Sequence, residues 1–111
     1  MDNPRFARII SMKAKTGKGD EFVRVFRKEV MSTAVELEGM RRLYLFRQVG
    51  KEDGFVALSL WDNEKAAENY AKSGSDKKYS QRLAGVQEGK ERVRKFYVES
   101  HVVGKSVDGG E

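Results

Sequence analysis

The stretch LSLWDNEKAAENY, Leu58–Tyr70, decides the fold, because it passes from the spacing of a strand to the spacing of a helix. Up to Trp61 its residues suit a β-strand. Asp62 or Asn63 then caps a helix, and Tyr70 lies on the inner side of that helix. The stretch therefore predicts a strand that runs directly into a helix, with the only tryptophan of the chain at the join.

The rest of the chain divides into strands and helices on either side of this join. The hydrophobic spacing predicts strand 6–14, helix 21–37, strand 40–49, strand 55–61, a helix that breaks at 73–76 and resumes over 77–83, and strand 92–103. Asp20 is the expected N-cap of the first helix. Residues 1–104 should form one domain, and residues 105–111 a glycine-rich, disordered tail. This order predicts an α+β, ferredoxin-like βαββαβ fold, with an antiparallel sheet and two helices on one face.

The strands carry apolar residues on both faces, which bears on the quaternary structure. In strand 55–61, Phe55 and Trp61 point one way, whereas Val56, Leu58 and Leu60 point the other. Helices cover only one face of such a sheet, and an uncovered apolar face on a monomer favours aggregation. We therefore expect a homodimer in which two sheets pack face to face, with the long last strand reaching the partner's edge.

Composition excludes several kinds of site. The 111 residues include no cysteine, which rules out disulfides, thiolate metal ligands and cysteine nucleophiles. The 22 basic and 17 acidic residues are interleaved, so the net charge of +5 predicts no nucleic-acid partner. No metal-ligand spacing, phosphate-binding loop or nucleophile elbow is present. No apolar run is long enough for a membrane span and no signal-peptide pattern begins the chain, so a cytoplasmic location is expected.

The order of motifs resembles a known family. A strand, the turn TGKGD at 16–20, a helix, LEGM at 37–40, a strand, and FVALSLWDNEKA at 55–66 before a helix resemble the antibiotic biosynthesis monooxygenase family of dimeric α/β barrels. The resemblance covers about residues 5–103. It implies a pocket between the helices and the sheet. Family members include cofactor-free monooxygenases of quinols and aromatic polyketides, in which the substrate itself supplies the electrons, as well as haem-degrading enzymes and proteins of unknown role.

The resemblance also suggests site residues. Trp61 matches the tryptophan at the strand end, and Arg82 lies near a basic position of some members. The candidate catalytic residues are Trp61, Tyr79 and Arg82, and the candidate substrate contacts are Tyr44, Phe26 and Tyr70. Three of them have a plainer interpretation: Trp61 as a core plug, Phe26 as helix-to-sheet packing, and Tyr70 as a core residue with its hydroxyl at the rim.

The haem-degrading branch fits the sequence less well. Its iron-ligating histidine falls at Tyr79 or Ser80 here, its helix tryptophan at Tyr70, and its strand-one asparagine near Ile10 or Ser11. None of these positions matches, although tyrosinate can ligate haem iron in other proteins. The leading expectation is therefore a monooxygenase that needs no metal or cofactor and acts on a small aromatic molecule. A non-catalytic binding or stress-related module and a haem-binding relative remain alternatives.

Overall fold

A four-stranded antiparallel sheet is the frame of the molecule. The computed structural model describes residues 3–106 of the chain. The strands are β1 (Phe6–Lys13), β2 (Met40–Arg47), β3 (Gly54–Trp61) and β4 (Arg92–Tyr97). They lie in the spatial order β2-β3-β1-β4. This is the order of the ferredoxin-like fold, in which a hairpin joins two βαβ units and another strand lies between the two strands of each unit.

Three helices lie against one face of this sheet. Helix α1 consists of an α-helical piece (Gly19–Val25), a π-helical piece (Phe26–Met31) and a final α-helical turn (Ser32–Ala34). Helix α2 spans Glu64–Lys72 and helix α3 spans Ser75–Leu83. The predicted α+β, ferredoxin-like fold is confirmed, and the predicted break in the second helical region separates α2 from α3.

Helix α1 begins and ends earlier than predicted. Lys18, not Asp20, occupies the N-cap position, and no side chain caps the helix there. The Asp20 carboxylate instead accepts a hydrogen bond from Arg47 at 3.1 Å. The prediction of Asp20 as the cap was therefore wrong, because the arginine at the end of β2 binds the carboxylate. The helix ends at Ala34 rather than Leu37.

The cap of α2 follows one of the two predictions. The Asn63 side-chain oxygen accepts a hydrogen bond from the backbone N–H of Ala66 at 2.9 Å. Asp62, the other candidate, forms an ion pair of 2.7 Å with Arg41. The strand-to-helix join seen in the sequence is confirmed, with Asn63 as the residue that starts the helix.

Strand β4 is half as long as predicted. It ends at Tyr97, which pairs with Phe6 in β1, and the N–H of Val98 makes one more bond to the Arg5 carbonyl at 3.0 Å. Beyond that point β1 has no paired residue to offer, so the predicted strand 92–103 does not continue. Of the predicted tail, residues 107–111 lie outside the described part of the chain.

The face of the sheet toward the helices holds the core. Trp61 and Phe22 are fully buried, and the Phe22 ring stacks on Phe55 at 4.6 Å between centroids. The opposite face, here called the open sheet face, carries Tyr44 and Phe46, which are 39% and 48% exposed. Within residues 3–106, no helix is long and apolar enough to cross a membrane.

Candidate functional site

A cavity lies between the helices and the covered face of the sheet. The volume of the cavity is about 60 Å³. Apolar side chains from the sheet and from helices α1 and α3 form most of the wall, among them Ile10, Met12, Phe26, Val30, Leu43 and Leu83. Enclosed apolar clefts with a few polar groups are the usual form of small-molecule sites.

The π-helical piece of α1 forms one side of this cavity. Phe26 and Val30 both belong to it, and both are buried. Short π-helical insertions widen one turn of a helix and occur often at functional sites. Thr33 lies in the final α-helical turn, directly after this piece. Its hydroxyl lies 2.7 Å from the Tyr79 hydroxyl, and this contact joins α1 to α3.

The first polar end of the cavity, here called the arginine end, consists of Arg8, Asp76 and Tyr70. The Arg8 side chain is only 6% exposed, and its two terminal nitrogens donate to the two Asp76 oxygens at 2.7 and 3.3 Å. Such two-point pairing is the strong form of an arginine–carboxylate contact. The guanidinium carbon also lies 5.2 Å from the centre of the Tyr70 ring. A buried cation is therefore held by a carboxylate and an aromatic face.

Tyr70 stays a neutral phenol in this environment. Burial raises the pKa of its hydroxyl well above the ordinary value of 10.0, and a hydrogen bond to the Asp76 carboxylate and the charge of that carboxylate raise it further. The positive charge of Arg8 lowers the pKa of the Tyr70 hydroxyl, but by less than the other effects raise it. At neutral pH the Tyr70 hydroxyl is thus a hydrogen-bond donor and not a base.

Aromatic rings extend from the arginine end along the wall. The Trp61 and Tyr70 rings lie 5.2 Å apart, and the Tyr70 and Tyr79 rings 6.4 Å apart. The indole N–H of Trp61 donates to the Ser59 hydroxyl at 2.9 Å. Because that N–H is already satisfied within the protein, Trp61 offers the cavity its ring rather than a hydrogen bond.

The second polar end, here called the glutamate end, consists of Ser80, Gln87 and Glu91. The Ser80 hydroxyl donates to one Glu91 carboxylate oxygen at 2.9 Å, and the Gln87 amide donates to the other at 3.1 Å. Partial burial by itself would raise the pKa of Glu91. Hydrogen bonds from its own backbone, Ser80 and Gln87 outweigh that effect and hold the pKa below 4.5. Glu91 is therefore an ionised acceptor at neutral pH.

Helix α3 carries groups of both polar ends. Asp76, Tyr79, Ser80 and Leu83 all line the cavity. These positions follow the spacing of one helical face, three or four residues apart. Asp76, at the arginine end, and Ser80, at the glutamate end, are consequently about one helical turn apart along α3.

The structure brings four of the six candidate residues together. Trp61, Tyr70, Tyr79 and Phe26 all line the cavity. Tyr44 lies on the open sheet face instead, where its ring stacks on Phe46 at 5.7 Å.

Arg82 also lies away from the cavity. It donates to the backbone carbonyl of Glu29 at 3.1 Å and pairs with the Glu29 carboxylate at 3.7 Å, which joins α3 to α1 on the outside. Its position in α3, next to Leu83, turns it away from the inner stripe of the helix. In this structure Arg82 therefore joins two helices, and its proposed chemical role stays without support.

Sequence reasoning missed Arg8, Asp76 and Glu91 as site residues. One signal for Arg8 was available: the strand alternation places it on the same face as Phe6 and Met12, where a charged side chain needs a partner. No local pattern pointed to Asp76, which is 68 residues away in the chain. Within residues 3–106, no three His, Cys, Asp or Glu side chains form a group that could hold a metal ion.

Solved structures with the same fold are distant in sequence. SnoaB, a cofactor-independent oxygenase from Streptomyces nogalater, is 15% identical, with a TM-score of 0.74 over 90% of this chain and 98% of its own. A protein of unknown function from Nitrosomonas europaea is 10% identical, with a TM-score of 0.76 over 93% and 97%. A protein from Pseudomonas aeruginosa is 14% identical, with a TM-score of 0.68 over 88% of this chain and 97% of its own.

No curated protein sequence matches the chain. The sequence model of one family does match, over residues 5–82, which includes β1, α1, both strands of the hairpin, α2 and nearly all of α3. The matched part is well over half of the 111 residues and contains the whole strand-to-helix join around Trp61. The chain therefore belongs to the antibiotic biosynthesis monooxygenase family.

Proposed function

We propose that this protein is a cofactor-independent monooxygenase that acts on a small, electron-rich aromatic molecule of the quinol or polyketide type. The observation that carries the proposal is the ion pair of the buried Arg8 with Asp76, which lines an otherwise largely apolar cavity with aromatic walls. Family membership supports the reaction type. SnoaB, which shares the fold, is itself a cofactor-independent oxygenase.

In the proposed reaction the substrate is the electron donor. In an anthrone-type substrate a ring-activated CH₂ group becomes a carbonyl: one atom of O₂ enters the substrate, and the other leaves as water with the two hydrogens of the CH₂. In a quinol one atom of O₂ enters at a ring C–H to give a hydroxyquinone, and the other leaves as water with two hydrogens of the quinol. The step begins with loss of a proton to form an aromatic oxyanion. The Arg8 guanidinium stabilises that oxyanion, and the Asp76 carboxylate beside it accepts the proton.

The remaining cavity residues position the ring. Trp61, Tyr70, Tyr79 and Phe26 provide flat or apolar surfaces against which an aromatic substrate stacks. The neutral Tyr70 hydroxyl donates its hydrogen bond to the Asp76 carboxylate, which holds that carboxylate in the cavity wall. The apolar wall keeps water from the reactive anion, which strengthens its interaction with Arg8.

Oxygen consumption tests this proposal. Purified protein is mixed with a panel of quinols and anthrones, and oxygen uptake is followed with an electrode. We expect protein-dependent uptake with at least one compound, and a loss of roughly 10²- to 10³-fold in Arg8→Met. Arg24→Met is the matched control, because Arg24 is 72% exposed in α1 and outside the cavity.

The alternatives give different results in the same experiment. A non-catalytic binding module would bind panel members, seen as a change in Trp61 fluorescence, without any oxygen uptake. A haem-binding relative would shift the Soret band of added haem, and Tyr79→Phe would abolish that shift. We expect no shift, because the Tyr79 hydroxyl already contacts the Thr33 hydroxyl. Absence of uptake across the whole panel would overturn the monooxygenase proposal.

We also propose that the protein is a homodimer formed through the open sheet face. Apolar and aromatic side chains on that face have no helix over them within residues 3–106, and Phe46 and Phe96 are 48% and 43% exposed. Packing two such faces together removes this surface from water.

A further inference from the structure

We propose that Glu91 is a second substrate contact, which selects ligands that carry a hydroxyl or amine at the end of the ring away from Arg8. The inference rests on the proposed function in one respect, since it concerns the same cavity. It adds a residue and a chemical requirement that the arginine end does not impose.

The Glu91 carboxylate can accept further hydrogen bonds. Each oxygen receives one side-chain hydrogen bond, from Ser80 or from Gln87. An ionised carboxylate has about four lone-pair sites, so further donors can bind. No Lys, Arg or His among residues 3–106 forms an ion pair with Glu91. Its charge is thus countered by neutral donors and, more distantly, by Lys90.

The glutamate end is held in place before any ligand arrives. The Gln87 side chain is buried, and its amide nitrogen donates both to the Gly89 carbonyl at 3.3 Å and to Glu91. These two bonds fix the amide, and the amide together with Ser80 fixes the carboxylate. Acceptors whose orientation is set in advance lose little entropy when a donor binds.

The charges around the cavity favour a donor and disfavour an anion at this end. Asp76 already neutralises Arg8, so Glu91 leaves the lining with one uncompensated negative charge. A carboxylate or sulfonate beside Glu91 would meet like charge in a partly buried site. A hydroxyl or amine would donate to it. An aromatic ring with an oxyanion on one side and a hydroxyl or amine on the other therefore matches the chemistry of both ends.

Ligand binding, not turnover, tests the inference. Trp61 is the only tryptophan and lines the cavity, so its fluorescence reports occupancy. Three probes differ at a single position: hydroquinone, 4-methoxyphenol and 4-hydroxybenzoate, titrated without oxygen. We expect hydroquinone to bind roughly 5- to 10-fold more tightly than the ether, which cannot donate, and the carboxylate to bind most weakly.

Two variants at neighbouring positions separate Glu91 from general charge effects. Glu91→Gln should lose most of the discrimination against 4-hydroxybenzoate, with a relative gain of roughly 10-fold or more. Glu88→Gln removes the same charge from an exposed residue that pairs with Lys13, and should keep the wild-type order. Should Glu91→Gln fail to fold, Ser80→Ala provides a second test. It removes one bond that orients Glu91 and should reduce the hydroquinone preference several-fold.

The outcomes distinguish this inference from the proposed function. Selective binding without oxygen uptake supports the role of Glu91 and contradicts the monooxygenase proposal. Oxygen uptake with unchanged ligand selectivity in Glu91→Gln does the reverse. No binding of any of the three probes, or equal binding of all three by the wild type, overturns the inference.

Discussion

At the scale of single residues, Arg8 shows both the reach and the limit of sequence reasoning. Alternation along β1 correctly places it on the covered face of the sheet, together with Phe6 and Met12. What alternation does not provide is the partner, because Asp76 is distant in the chain and lies in a helical turn that was expected to begin only at residue 77. Pairs formed by tertiary contact leave no periodic trace in a sequence.

The Arg8–Asp76 pair should matter for stability. Arg8→Met removes one partner of a mostly buried pair and leaves the Asp76 carboxylate without its cation. Because the Asp76 side chain is 35% exposed, solvent compensates in part, and we expect a loss of about 1–3 kcal/mol in the free energy of unfolding. Urea denaturation measures it. Arg24→Met, at an exposed pair, should cost less than about 0.5 kcal/mol, and equal losses in the two variants would contradict the prediction.

Tyr70 should make stability depend on pH in the alkaline range. The pKa of Tyr70 is raised above 10.0 in the folded protein, so the unfolded chain loses this proton first as the pH rises. The contribution of Tyr70 to the free energy of unfolding is therefore complete at pH values well below 10.0 and declines as the pH rises through that value. Tyr70→Phe lacks this ionisation. The free energy of unfolding of the wild type relative to that of Tyr70→Phe should therefore decrease as the pH is raised from roughly 9 to 11. Urea denaturation at several pH values measures it.

A second tyrosine variant is the control for this effect. Tyr79→Phe removes a cavity hydroxyl whose hydrogen bond is to Thr33 and involves no carboxylate. A difference between wild type and Tyr70→Phe that stays constant across this pH range would contradict the prediction.

At the scale of elements, the sequence predicts the centres of helices and strands better than their ends. Asn63 could be identified as a cap because its side chain needs only the backbone of the next turn. The end of β4 could not be identified, because it depends on where β1 begins: residues 99–103 suit a strand, but β1 starts at Phe6 and has no further residue to pair with them. The π-helical piece of α1 likewise has no simple spacing signal.

Gly74 should be essential to the break between α2 and α3. Its φ of +85° lies in the left-handed region, which costs residues with a Cβ about 1–2 kcal/mol. Nothing lies within 4 Å of a Cβ built there, so Gly74→Ala should destabilise by backbone strain alone. Gly85→Ala has equal space and no positive φ, so it should change the unfolding free energy little or raise it slightly. Urea denaturation of both variants compares them, and equal effects would contradict the assignment.

At the scale of the whole molecule, the composition of β3 gave the clearest signal for assembly. Its two apolar faces predict a covered side and a second apolar surface, and within residues 3–106 helices lie over only one of them. The open sheet face joins residues from all four strands, since Tyr44 pairs with Leu58, Leu58 with Ile9, and Ile9 with Arg94. The dimer itself stays a prediction.

Sedimentation velocity tests the dimer. The wild type should sediment at twice the chain mass of 12.6 kDa. Phe46→Glu places a charge in the open sheet face and should yield monomer, because burying an unpaired carboxylate is costly. Val49→Glu is the control, since Val49 is 98% exposed in the hairpin loop. A wild-type mass of 12.6 kDa, or a Phe46→Glu protein that remains dimeric, would contradict the prediction.

The nine residues of α3 have a consequence for how such a protein changes over generations. The packing of Phe22 on Phe55, which anchors helix to sheet, involves no residue of α3. Asp76, Tyr79 and Ser80, by contrast, meet the contents of the cavity. A few substitutions in one short helix can therefore alter what is bound while the sheet and its aromatic anchor are inherited unchanged. Ligand preference should diverge faster in this lineage than architecture does.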